Sequence, residues 1–593
     1  MTTLVFSPLA KLRRRQNALG RVRLVIIFIA LGCMYLTFSI SSERNRHQAW
    51  LDEQEKVDWP ELDSTPVERR MVGKHYVLHG HLAIDPEDPV HPVETAIRLS
   101  NMAWNAKVKR QSKSLKAAIR EYKRRYQQNP PKGFDLWWRY VVANRVQLPD
   151  EYDQIHQDIL PVAGLRKSGQ TVERLKAARE HLDTFTITIA NHEVSVEENL
   201  PPGKLSSQHR IDNQLTLINP IIQHLSNFSA TFTIHDGPLN MIPYTRREQL
   251  VTCASSDAPT CEPFRKLPVS TVWHDACPPF SPMRNRTALA EHHPPETQTL
   301  VLSAVEAMSL CNDPNLFSIH AYANWAIRHT DDLLPVFGSS KTTMHTDLPS
   351  VPWESFMADN LAHLPWEEKA HDELLWRGST TGAVWHKSGN WKQGQRQRLV
   401  GMMNATGPIS ILLPDGLGGR RVDLDGEKAT NYYLDMAFAG RPILCNKEDG
   451  TCDDLQEQYR WSKNMAPNEI SQYKYIVDVD GNAWSGRSKR LLASGGVFMK
   501  NSIFPEWWTD RIQPWVHYIP IKTDYSELLD IVAFFRGDLD GNYGREDMAR
   551  AIAHAGTEWA KTSWRLEDAV AYQFRLYLEY ARATAPREVD MDL

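Results

Sequence analysis

Residues 473–500 read YKYIVDVDGNAWSGRSKRLLASGGVFMK. Tyr473 to Val479 is apolar and β-branched enough for a buried strand. It gives way at Asp480-Gly481-Asn482 to a polar, glycine-containing loop with Trp484, Ser485 and Arg487. That is the pattern of a strand feeding a ligand loop. Similar short apolar runs recur as TFTITI (184–189), SATFTIHD (229–236), LLPVFG (333–338), ISILLP (409–414), GGVFMK (495–500) and HYIPI (517–521). Strands alternating with helical segments predict an α/β fold with a parallel sheet covered on both faces. The span from about 133 to 580 accommodates two such units. Ligands of open α/β sheets sit beyond the carboxyl ends of the strands, so the loops there are where chemistry is sought.

Three loops carry candidate chemistry. The first is Trp376-Arg377-Gly378-Ser379-Thr380-Thr381-Gly382, after an acidic stretch with helical composition. Glycine admits close backbone approach, hydroxyls bond phosphate oxygens and arginine neutralises their charge. The GK[ST] of an ATP-binding P-loop is missing. The second is Asp480 to Arg487. Asp478 and Asp480 form a DxD that invites a divalent cation, against a turn or cap role for Asp480 beside Gly481. The third is Thr233-Ile234-His235-Asp236-Gly237-Pro238, where a carboxylate at a strand end suits a general base; its alternative is a turn cap. His292-His293 in EHHPPE reads as surface loop. The Trp-rich FPEWWTDRIQPWVHYIPI reads as packing, with Lys522 beyond it in reach of an anion. Phe134, Trp137, Trp138 and Tyr140 have the helical spacing of core residues.

The chain has 593 residues and a net charge of −4. Without a basic footprint over the whole chain, nucleic-acid binding is not expected. The amino-terminal 23 residues hold six basic residues and no acid; LVIIFIALGCMYLTFSI (24–40) then carries no charge. A run of this length predicts a retained membrane anchor over 24–42 rather than a cleaved signal peptide. The basic side stays cytosolic, giving single-pass type II topology with 1–23 as the tail. Beyond it lie six cysteines, enough for three disulfides, with Cys445–Cys452 the easiest local pair. Asn227, Asn285 and Asn404 head glycosylation triplets on the same predicted side. The ending EVDMDL is not a KDEL-type retrieval signal, which favours a Golgi address over the ER. Residues 43–130 read as a polar, proline-punctuated stem ending in a basic helix over 93–128, either a solvated face or a contact for a membrane or partner.

WRGSTTG, the 473–500 stretch and WVHYIPIKTDYSELLDIV, in this order, resemble glycosyltransferase family 90, which comprises fungal capsule-associated xylosyltransferases and Rumi-type protein O-glucosyltransferases. The similarity is densest from about 330 to 535. The resemblance implies a GT-B arrangement: two Rossmann-like halves facing a cleft, here 131–370 for acceptor and base and 371–580 for the nucleotide. It implies inverting transfer from a UDP-sugar without a bound metal. It assigns donor binding to Arg377, Gly378, Ser379 and Arg396, with Arg398 as the rival to Arg396. It adds Asn482, Ala483, Trp484, Ser485, Gly486 and Arg487, and places the catalytic base at Asp236. No cofactor is expected. The chemistry agrees: one-step displacement of UDP needs a base and a clamp for the departing diphosphate.

The expected function is transfer of xylose, or next glucose, from a UDP-sugar to a glycan hydroxyl in the secretory pathway. One alternative is a protein O-glucosyl- or O-xylosyltransferase acting on serine. Another is a luminal binding protein on a decayed transferase fold.

Overall fold

In a computed structural model, residues 70–202, 207–264, 273–285, 297–324, 332–356, 362–416 and 418–593 are described. The tail, the anchor at 24–42, residues 43–69 of the stem and His292-His293 lie outside them. No described helix is long and apolar enough to cross a membrane.

Tyr473–Val479 is a strand at the centre of a six-stranded sheet. Its neighbours are His371–Gly378 and Val497–Asn501; Leu434–Ala439 and Trp461–Ser462 continue one side, and Ile519–Pro520 closes the other. Every pairing is parallel. Counted along the chain, the spatial order is 3-2-1-4-5-6, that of a dinucleotide-binding doubly wound sheet. The sheet buries both faces. Tyr475, Val477 and Val479 join Leu374, Trp376, Met436 and Met499 in one core, whereas Ile476 and Phe498 join another. Asp478 points to the second side, and the register sets Lys500 beside it.

His371–Gly378 corrects the helical reading of the acidic stretch before Arg377. Leu374, Leu375 and Trp376 are fully buried between two strands, so tertiary packing overrides the helix preference of the acidic residues. ISILLP is likewise not in the parallel sheet. It forms Pro408–Asp415, paired antiparallel with Gly418–Asp425 as a separate hairpin.

The amino-terminal half has a mixed five-stranded sheet, ordered Glu193–Asn199, Thr184–Ala190, Phe228–Thr233, Val336–Gly338 and Leu348–Pro349. The first two pairings are antiparallel and the last two parallel. The doubly wound order is thus confined to the carboxyl-terminal half, and the expected second Rossmann-like half is a mixed sheet. Leu566–Thr584 returns across the boundary expected near 370. Its Trp137-facing side lies in one core with Phe134, Ile159, Leu217 and Phe232.

The stem reading also needs correction where the structure describes it. Arg70–Val72, His75–Leu78 and His81–Ala83 form a meander closed by Thr299–Val301. The basic helix is two, Pro92–Lys109 and Leu115–Tyr126, broken where Ser114 caps the second. Phe134, Trp137 and Trp138 are buried on Phe134–Ala143, as their spacing predicts. All six cysteines beyond the anchor are bonded: Cys253–Cys261, Cys277–Cys311 and Cys445–Cys452.

His91 caps Pro92–Lys109 by accepting from the Val93 amide at 3.3 Å, its ring against Phe534. Burial keeps it neutral and lowers its pKa to about 3. The unfolded chain takes up a proton near pH 6.5, so this contribution is intact above that pH and drains away as pH falls toward 3. Asn caps without titrating. The stability gap between wild type and His91→Asn should therefore shrink by about 1.5 kcal/mol from pH 6.5 to 5, at ~1.4 kcal/mol per pKa unit. Urea denaturation at the two pH values measures it; a constant gap would refute the assignment.

Candidate active site

At the switch point of a doubly wound sheet the crossovers leave in opposite directions and open a crevice. Here it lies between the carboxyl ends of His371–Gly378 and Tyr473–Val479. The loops leaving those ends are Ser379–Gly382 and Asp480–Arg487, so two of the three stretches singled out by sequence meet at one crevice.

Arg487 stands over the crevice. Its Nη1 donates to the Arg377 carbonyl at 2.8 Å and its Nη2 to Asp478 Oδ1 at 2.7 Å. Asp478 is wholly buried and also accepts from Ser485 Oγ at 2.9 Å and Ser488 Oγ at 3.1 Å, with Lys500 Nζ 3.9 Å away. Against the pull of burial, Arg487 and Lys500 hold this carboxyl below its ordinary range. An ionised carboxylate thus fixes the rotamer of a guanidinium that stays partly exposed.

Arg396 is the arginine of this crevice, and Arg398 is not. From Gln395–Gly401, Arg396 donates to the Ser379 carbonyl at 2.9 Å, Thr381 Oγ1 at 2.7 Å and the Asp480 carbonyl at 2.9 Å. Burial, with the Arg487 charge adding to it, lowers its pKa to about 9. Arg398 instead donates to Gln393 and the Asp524 carbonyl. Arg396 is nearly all spent on backbone, so it fastens one loop to the other from beneath. Arg377 is spent too: its Nη2 lies 2.7 Å from both oxygens of Asp435. Asp435 resists the effect of burial because Arg377 and Tyr473 hydrogen-bond it, and stays below the ordinary carboxyl range. The groups left facing the crevice are Gly378, Ser379, Thr381, Asn482, Trp484, Gly486 and Arg487, all partly or fully exposed, while Ala483 and Ser485 are buried beneath them. Asn482 Oδ1 accepts from the Gly382 amide at 3.3 Å, a further tie between the loops.

The DxD does not present two carboxylates to one ion. Asp478 serves Arg487, whereas Asp480 Oδ2 meets His320 Nε2 at 3.3 Å and the Ile503 amide at 3.0 Å. Lys522, expected in reach of an anion, pairs with Asp524 at 3.2 Å and Ser526.

Asp236 follows Phe228–Thr233. Its Oδ1 accepts from Arg210 Nη2 at 2.7 Å, and its side chain is 45% exposed, open enough to receive a proton from solvent or ligand. Asp347, buried just before Leu348–Pro349, accepts from the Leu239 and Asn240 amides at 2.7 and 2.8 Å and so fixes the loop. Burial raises its pKa to about 7.

A short segment joins the two halves of the site. His320 holds Asp480; the Ala321 amide donates to Gln395 Oε1 at 2.7 Å; and a Cβ on Gly382 would lie 3.0 Å from Ala321. The next residue, Tyr322, packs on the loop after Asp236, where a Cβ on Gly237 would lie 2.8 Å from its ring. On another side, Arg210 and Glu354 line one hollow with Thr233 and Ser339. Glu354 Cγ would lie 3.1 Å from a Cβ on Gly486. Asp236 and Arg487 therefore border connected ground rather than opposite surfaces. Sequence reading missed Arg210, Asp347, His320, Glu354 and Asp435. None sits in a motif, since each acts by reaching across to a distant loop.

A family profile described as Glycosyl transferase family 90 matches residues 437–588. The match contains Asn482–Arg487 and stops short of Asp236, Arg377–Ser379 and Arg396. Protein O-glucosyltransferase 2 of Danio rerio is 32% identical over 131 residues, 22% of this chain and 25% of that protein. Protein O-glucosyltransferase 1 of Rattus norvegicus is 31% identical over 273 residues, 42% of this chain and 57% of that protein. O-glucosyltransferase rumi of Drosophila pseudoobscura pseudoobscura is 32% identical over 117 residues, 19% and 26% of the two. The chain thus matches between a quarter and somewhat over half the length of these relatives. With the profile lying on the half whose sheet has the nucleotide-binding strand order, the chain carries a glycosyl transferase family 90 domain.

Proposed function

We propose that this protein is an inverting glycosyltransferase that moves a sugar from a UDP-sugar to a hydroxyl of an acceptor glycan. One observation carries the reading: a partly exposed Arg487, aimed by a buried Asp478, stands at the switch point of a 3-2-1-4-5-6 sheet. Arg487, Ser379 and the loop amides bind the departing diphosphate and stabilise its charge as the glycosidic bond breaks. Asp236 takes the proton of the incoming hydroxyl. Base and clamp act on opposite sides of the anomeric carbon, so its configuration inverts. The two halves form a GT-B-like cleft in this reading. Asp478 and Asp480 are engaged by Arg487, His320 and the Ile503 amide, so in this reading the clamp is made of protein groups. EDTA should leave most activity; complete, manganese-restored loss would overturn this.

Xylose remains the leading donor sugar and glucose the second. The names of the relatives favour a second reading, transfer of glucose to a protein. Three disulfides and the exposed Asn227 and Asn404 triplets support a site in the secretory pathway, with the 24–42 segment as Golgi anchor. Differential scanning of the purified protein with and without UDP tests the nucleotide site: at 100 times Kd, ligand adds about 2.7 kcal/mol. No rise in Tm would favour a binding protein on a decayed transferase fold. Release of UDP from a panel of UDP-sugars then ranks the donors.

A further inference from the structure

One sizeable cavity among the described residues lies away from the crevice. A groove of about 620 Å³ runs between Pro92–Lys109, Phe134–Ala143 and Glu546–Ser563. His517 on its wall precedes the Ile519–Pro520 strand. The groove therefore lies toward the amino ends of the parallel strands, away from the loops that hold Arg487. Its floor is aromatic, with Trp104 edge-on to His517 at 4.3 Å and Trp559 beside them. Val142 stands 59% exposed on one wall and Val108 47% exposed on another. Amide side chains of Gln111 and Gln147 reach its edge.

The rim is basic on a chain whose net charge is negative. Lys113 and Arg145 line the groove, and neither has an ion pair with another described residue. Lys109, Lys116 and Arg120, near Lys113 in sequence, are exposed and likewise have no ion pair among the described residues. Glu558, the acid on the edge, is answered by Lys561 at 3.0 Å. Two unpaired cations lining one groove leave it a positive potential that an anion would answer. A flat anionic membrane would meet the lysines but leave a concave aromatic floor empty. A chain of sugar rings carrying carboxylates suits this lining: ring faces on Trp104 and the exposed valines, carboxylates to Lys113 and Arg145.

We propose that this groove binds an anionic oligosaccharide, a uronic-acid-bearing stretch of the acceptor chain, at a subsite separate from the catalytic crevice. Only the word acceptor rests on the transferase reading. The test uses the purified full-length protein over surfaces of polygalacturonate, dextran and phosphatidylserine nanodiscs. Polygalacturonate should bind in a salt-sensitive manner and dextran should not. Lys113→Glu/Arg145→Glu and, separately, Val142→Asp should each weaken it at least tenfold; all three sites are exposed, so the fold survives. The UDP-induced rise in Tm should be unchanged. Equal binding to dextran, binding to the nanodiscs alone, or variants that bind like wild type would each overturn the proposal. Polygalacturonate binding without a UDP response would leave the groove standing and remove the transferase reading.

Discussion

Asp236→Asn should lower transfer by about 10²–10⁴-fold, the span that a positioned general base contributes. The amide is nearly isosteric and still accepts from Arg210, so the loop pinned by Asp347 keeps its place. What it cannot do is take the hydroxyl proton at neutral pH. On the proposed function the nucleotide meets the other half of the site, so the UDP-induced change in Tm should persist. Turnover equal to wild type would remove Asp236 from the mechanism. Loss of both turnover and the UDP response would mean a damaged fold instead.

Arg487→Ala should reduce turnover by about 10²–10³-fold, as loss of one preorganised donor does elsewhere. It should also destabilise the fold, because Asp478 has no exposure and keeps only two hydroxyls and Lys500 at 3.9 Å. A buried carboxylate stripped of its main partner costs on the order of 2–3 kcal/mol, less than for a fully buried pair because Arg487 is itself 22% exposed. The double variant Arg487→Ala/Asp478→Asn separates the two effects. It should recover most of the stability, read by urea denaturation, and none of the turnover. If stability and turnover recover together, the guanidinium is only a counter-ion for Asp478.

The sheet strands that are apolar throughout were legible. YKYIVDV, TFTITI and SATFT stand where their composition puts them because burial on both faces leaves a continuous signal. His371–Gly378 was hidden, since its first three residues are polar and lie at the exposed end of the strand. Leu434–Ala439 was hidden because LDMAFA holds an acid and no β-branched residue. At the site, loops with glycine, serine and arginine announced themselves, but their division of labour did not. Nothing in GQRQRLV says that one arginine turns under the crevice and the next turns away. That outcome depends on where the Asp480 carbonyl and the Asp524 carbonyl fall in space. The same holds for Arg377, whose partner Asp435 lies 58 residues along the chain.

The Cys445–Cys452 ring lies directly behind the phosphate-side loop. Thr380 Oγ1 exchanges hydrogen bonds with both the amide and the carbonyl of Ile443, Trp385 pairs with the backbone of Leu444 and Asn446, and the Trp385 indole returns to the Thr380 carbonyl. The shape of the Arg377–Gly382 turn is thus propped by a covalent clasp that closes only where thiols are oxidised. On the proposed function, competence to grip a nucleotide would in this way be coupled to travel: a chain still in a reducing compartment would carry every proposed site residue and lack the brace that sets them.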